Sequence, residues 1–110
     1  MPTVTQKVLG QAAPAATTLS TLYTVPSATQ TTCSTINIVN TNSSADTFRV
    51  SVAVAGASNA IDQYLYYDLP ISGYNTFQTT LGLTLGATDV VRCYSTNGTC
   101  SFSLFGVETA

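Results

Sequence analysis

The chain has 110 residues, with three Lys plus Arg against five Asp plus Glu, no histidine and no tryptophan; its formal charge is −2 and only 7% of it is charged. Lys7, Arg49 and Arg92 form no basic run that could hold a nucleic-acid backbone, and the missing histidine excludes His-dependent triads and histidine-ligated zinc. The length suits one domain, and an exterior this poor in charge must draw its polarity from Ser, Thr, Asn and Gln.

Nothing in the sequence approaches the roughly 18 consecutive apolar residues of a membrane span. The opening residues lack the basic region and apolar core of a signal peptide, so synthesis in the cytoplasm is expected. Cys33, Cys93 and Cys100 are odd in number and have no C-x-x-C spacing. In a chain able to build its own core they read as buried thiols rather than as a disulfide framework.

In chain order, residues 1–18 show no sustained period. Pro14 interrupts the alanines at 12–16, so an extended N-terminal arm is expected, with a short strand at 6–10. Residues 19–25 read as a strand that Pro26 closes, because proline has no donor for the ladder. Residues 30–40 are extended, with Ile36 and Ile38 inward; Cys33 is out of phase with them, so it either points away or follows a bulge. A polar turn at 40–44 leads to the stretch 47–55, where Phe48, Val50, Val52 and Val54 alternate with Thr47, Arg49, Ser51 and Ala53. That period of two is the mark of a central antiparallel strand with one packed face.

A small-residue loop at 56–62 follows, then a strand at 63–69 that places Leu65, Tyr67 and Leu69 on one face and Tyr64, Tyr66 and Asp68 on the other. Residues 77–85 form a long strand in which Gly82 marks a bend or bulge. Residues 90–95 and 100–107 flank Asn97-Gly98, which suits a two-residue type I′ hairpin turn. In that hairpin Cys93 and Cys100 are diagonal neighbours, too far apart for a disulfide. Seven or eight short strands and no long helix predict an all-β fold: a single antiparallel β-sandwich, jelly-roll or immunoglobulin-like, with a small barrel as its nearest competitor. The expected division is an arm at 1–18 and a sandwich at 19–110.

Few residues invite chemistry. The cysteines have no base partner, and Asp46, Asp62 and Asp89 sit in or beside turns, where carboxylates cap backbone donors. Asp68 and Glu108 could form a glycosidase-like pair only if the fold united them. No metal, cofactor or catalytic residue is expected. The tyrosines stand out, because aromatic side chains are enriched at interfaces. Tyr64, Tyr66 and Tyr74, the outward Arg49 and Arg92, and Lys7 and Leu9 on the arm are the candidate contact residues, with Asp68 a possible partner for either arginine.

Several segments together resemble a family of small tailed-phage virion proteins of about this length. They are Gln6-Lys7-Val8-Leu9-Gly10-Gln11, Leu22-Tyr23-Thr24-Val25-Pro26, Thr47-Phe48-Arg49-Val50-Ser51-Val52, Gln63-Tyr64-Leu65-Tyr66-Tyr67-Asp68, Gly82-Leu83-Thr84-Leu85, Asp89-Val90-Val91-Arg92 and Phe102-Ser103-Leu104-Phe105-Gly106-Val107-Glu108. The resemblance implies a non-catalytic component of a phage particle. The expectation built on it is a capsid decoration or cement protein, a homotrimer on the outer surface of the major capsid protein shell, made in the host cytoplasm and binding neither nucleic acid nor membrane. The alternatives are a tail or baseplate adaptor, and a carbohydrate- or receptor-binding module with Tyr64, Tyr66 and Tyr74 around a sugar.

Overall fold

The computed structural model describes residues 3–110. They form β1 (Val4–Ala12), β2 (Ser20–Thr24), β3 (Gln30–Asn40), β4 (Asp46–Ala53), β5 (Tyr64–Ile71), β6 (Thr76–Leu85), β7 (Val90–Ser95) and β8 (Cys100–Thr109), with single 3₁₀ turns at Val54–Gly56 and Ile61–Gln63. All ladders are antiparallel. The first sheet has the order β1-β8-β3-β6 and the second β2-β7-β4-β5. The pairs are nested, 1 with 8, 2 with 7, 3 with 6 and 4 with 5, as if one long hairpin closing between β4 and β5 had been rolled into two layers. That is the jelly roll, so of the two sandwich topologies expected it is the first that forms.

The period of two builds the core. Ile36 and Ile38 of β3 and Phe102 and Leu104 of β8 face Phe48 and Val50 of β4 and Val91 and Cys93 of β7, all buried. Phe48 is the hub: its ring centre lies 5.4 Å from Phe77, 6.1 Å from Tyr66 and 6.2 Å from Phe102, with edge-on or tilted geometry that suits the ring quadrupoles. Cys33, Cys93 and Cys100 are free thiols inside this core, and burial pushes them up to about 11, 12 and 11. The expected bulge after Cys33 is present: Cys33 pairs with Gly106 and Thr35 with Phe105, so Ser34 is an added residue against β8, and on the other side Leu81 and Gly82 of β6 stand against Ser34 alone, the irregularity expected at Gly82.

Four expectations are corrected. Met1 and Pro2 of the anticipated arm lie outside the described residues, but Val4–Ala12 is an edge strand paired along β8. Its periodicity is hidden by a register shift between Val8 and Gly10, which turns Leu9 into the core. The inward row of β4 stops at Val52, because the strand ends at Ala53 and the chain enters a 3₁₀ turn that leaves Val54 72% exposed.

The phase of β5 also differs. Phe48 pairs with Leu69, Val50 with Tyr66 and Ser51 with Tyr64, so β5 carries extra residues at 67–68 and at Leu65, and Asp68 adopts φ 51°. These bulges send Tyr66 and Leu69 inward and leave Tyr67 51% exposed. Finally, β7 and β8 belong to different sheets, so Asn97-Gly98 is a corner between layers and not a hairpin. A type I′ turn needs positive φ at both residues, and only Gly98 has it, at 73°. Cys93 and Cys100 therefore sit on different sheets.

The corner is pinned by Asp46. Its carboxylate accepts hydrogen bonds from the backbone N–H of Thr47 (2.7 Å) and Asn97 (2.9 Å) and from the hydroxyls of Ser95 and Thr99. Burial opposes its ionisation, but the hydrogen bonds from Ser95, Asn97, Thr99 and Thr47 outweigh it and hold the carboxyl at about 2.

Candidate functional site: two contrasting outer faces

The outer face of the second sheet gathers aromatic and charged side chains around Arg49. Because the β5 bulge sets Tyr67 and Asp68 together beside β4, Arg49 reaches both. Its Nε donates to Asp68 Oδ1 at 2.6 Å and its Nη2 to Oδ2 at 3.2 Å. The guanidinium carbon lies 4.2 Å from the ring centre of Tyr67 and 4.3 Å from that of Tyr94, the cross-strand neighbour on β7. The hydrogen bonds to Asp68 hold Arg49 protonated beyond its ordinary range. Tyr64 meets Tyr67 edge-on at 4.9 Å, and its hydroxyl accepts from Asn59 Nδ2 at 3.0 Å.

Residues 54–63 accompany this cluster. Arg92 Nη1 donates to Ala57 O at 3.0 Å, and Asp89 Oδ1 accepts from Ala55 N at 2.9 Å. Ser51 and Ala53, outward by register, are fully buried. The Ser51 hydroxyl has no hydrogen-bond partner.

Of the candidate contact residues, the structure thus brings together Arg49, Arg92 and Tyr64 on one sheet. It separates the others. Tyr66 packs its ring on Phe48 and Phe77, 5.3 Å from the latter. Tyr74, 74% exposed, lies in the turn after β5, past the opposite end of that strand from Tyr64, where its N–H donates to Asn42 O. A sugar ringed by Tyr64, Tyr66 and Tyr74 is therefore not supported by the geometry. Leu9 is core, and Lys7 pairs at 3.4 Å with Glu108, whose other oxygen accepts from the buried Tyr23 hydroxyl. Burial and that hydrogen bond push Tyr23 up to about 12.

Asp68 and Glu108 are in different sheets, each engaged by its own cation, and do not form a carboxylate pair. Among the described residues no cluster of three or more His, Cys, Asp or Glu could hold a metal ion. Sequence reasoning missed Tyr67 and Tyr94. Tyr94 was legible, since it shares the outward phase of Arg92; Tyr67 was not, because the bulge reverses it.

The outer face of the first sheet is different in kind. Register aligns its outward residues in rows across the strands: Gln6, Val107, Thr32 and Thr84; Val8, Phe105, Thr35 and Thr80; Gln11, Ser103, Asn37 and Gln78. Shorter rows at the ends add Val4, Thr109 and Gln30, and Ser101, Val39 and Thr76. None of these side chains is charged. The face is broad and neutral, with Phe105, Val107 and Val39 on its two central strands.

No family model matches the sequence, and no curated protein does. Solved structures do match the fold. A chain in the acidic stable capsid structure of Helicobacter pylori bacteriophage KHP30 aligns over 100% of this chain and 94% of its own length, with a TM-score of 0.51 and 16% identity. Chains in the structures of infectious bursal disease virus, Gx and Gt strains, align over 98% of this chain with TM-scores of 0.50 and 0.53 and 8% identity. The chain spans 31% of each of these two. At such identities the likeness is one of fold alone.

Proposed function

We propose that this protein is a non-enzymatic structural component of a phage particle, a decoration protein that lies on the outer surface of the capsid and reinforces the major capsid protein shell. The observation that carries the reading is the end-to-end fold likeness to a chain of a phage capsid structure, with almost nothing left over on either side. The molecule suits contact rather than turnover, since it offers two broad outer faces and engages Asp68 and Glu108 in ion pairs and Asp46 and Asp89 in hydrogen bonds within the fold. The Arg49 cluster is the surface we assign to the shell. Tyr67 and Tyr94 clamp the guanidinium and Asp68 fixes its direction, so these anchors lose little side-chain entropy on binding. Repetition by symmetry multiplies a modest contact.

Purification of tailless shells tests the proposal. The protein should remain on them at a copy number on the order of hundreds, as a shell-covering component repeated by symmetry must. Paired substitution of Tyr67→Ala and Arg49→Ala should lower its occupancy. Absence from shells, with a few copies on tails, would favour the tail or baseplate adaptor instead.

A further inference from the structure

The distribution of charge assigns a second contact. Arg49, Asp68 and Arg92 lie on the second sheet, Asp62 and Asp89 lie in or beside the turns next to it, Asp46 is buried, and Lys7 and Glu108 pair on the inward side of the β1–β8 ladder. The outer face of the first sheet has no charge; its apolar residues are Phe105, Val107 and Val39 on the two central strands and the exposed Val4 and Val8 on the edge strand β1, interspersed with hydroxyls and amides. An uncharged face that exposes apolar side chains among hydroxyls and amides is the composition of a contact patch.

Its size is adequate. Strands of about ten residues rising about 3.3 Å each, four abreast at about 4.8 Å, span roughly 600 Å². Two such faces together reach about 1,200 Å², the lower bound of specific interfaces. The occupant follows from charge. A charged partner surface would lose its hydration against this face and gain no counter-charge, whereas a second copy of this chain brings an equally neutral face with the same rows. We infer that two copies of this protein pack through the outer faces of their first sheets, β1-β8-β3-β6 on β1-β8-β3-β6, about a twofold axis. The sheets then stack about 10 Å apart, as in an aligned sandwich, and the Arg49 faces point outward on both sides, so that on a shell one of the two meets the major capsid protein and the other faces away. This symmetry stands against the homotrimer expected from the sequence.

Sedimentation of the purified full chain tests the inference without any shell. The wild type should be a reversible dimer at micromolar concentrations, with a dissociation constant that changes less than about twofold between low and high salt, because no charge is paired across the contact. Thr35→Lys and Ser103→Lys each place like charges face to face near the centre and should weaken the dimer at least about 100-fold. Thr21→Lys, on the exposed outer side of β2, should leave it intact; circular dichroism verifies that all three fold. A wild type that stays monomeric at about 100 μM, a trimer, or a dimer that survives both lysines would overturn the inference. If neither lysine variant folds, the salt series decides, and a steep loss of dimer with salt refutes a neutral interface.

Discussion

Replacing Asp46 by Asn probes the corner that carries the chain from the second sheet to the first. In the wild type one carboxylate oxygen takes the N–H groups of Thr47 and Asn97 and the other takes the hydroxyls of Ser95 and Thr99. The Ser95 oxygen is already occupied as acceptor by the N–H groups of Thr99 and Cys100. An amide has one acceptor where the carboxylate has two, so at least two donors lose their partner whichever way it is turned. The loss should be about 2–3 kcal/mol at neutral pH.

The pH dependence is sharper evidence. The folded carboxyl sits at about 2 against an ordinary 3.8, and that gap corresponds to about 2 kcal/mol. Because the folded value is depressed, the stabilisation is fully present above the unfolded value and disappears as pH falls through 3.8 towards 2. Urea titrations followed by tyrosine fluorescence, which no tryptophan obscures, measure both proteins. The wild-type advantage over Asp46→Asn should shrink by about 2 kcal/mol between pH 6 and about pH 2. An advantage that stays constant over this range would refute the assignment of an ionised, hydrogen-bonded Asp46.

Other consequences are as direct. Tyr66→Ala should destabilise by about 2–4 kcal/mol, since it removes a ring from the Phe48 cluster, while Tyr67→Ala should cost less than about 1 kcal/mol; equal effects in denaturation would contradict the β5 phase. Gly106→Ala should cost more than about 2 kcal/mol, because an added Cβ would lie 2.2 Å from Thr32 O, whereas Gly82→Ala, with nothing within 4 Å of its Cβ, should lie within about 0.5 kcal/mol of wild type. Alkylation by iodoacetamide near neutral pH should modify none of Cys33, Cys93 and Cys100 in the native protein and all three in urea, since burial holds each thiol protonated and covered. Modification of native Cys93 at the rate of a free thiol would show that the core is open.

Most strands and the sandwich itself were legible because alternation survives wherever one face is packed: Ile36 and Ile38, Phe48 and Val50, and Phe102 and Leu104 all face the interior as their spacing requires. What escaped reading was lost for local reasons. An added residue at Leu9 hides the edge strand within an apparent arm. Two bulges exchange Tyr66 and Tyr67, since a single insertion turns every later side chain to the other face. Asn97-Gly98 supplies a tight turn, but the crossing between sheets is braced by the remote Asp46, which no window around the turn includes. The Arg49 cluster was half visible, because Asp68 was a possible partner by sequence whereas Tyr67 required the bulge. The neutral face was implicit in the low charge of the chain, and only the pairing of β1 with β8 showed where it lies.

An electron cryomicroscopy map of intact particles containing this chain tests the central claim most directly. The account predicts density for an eight-stranded jelly roll on the outside of the shell, with the Arg49 cluster against the major capsid protein. A bare shell, with the jelly roll confined to the tail or absent from the particle, would contradict it.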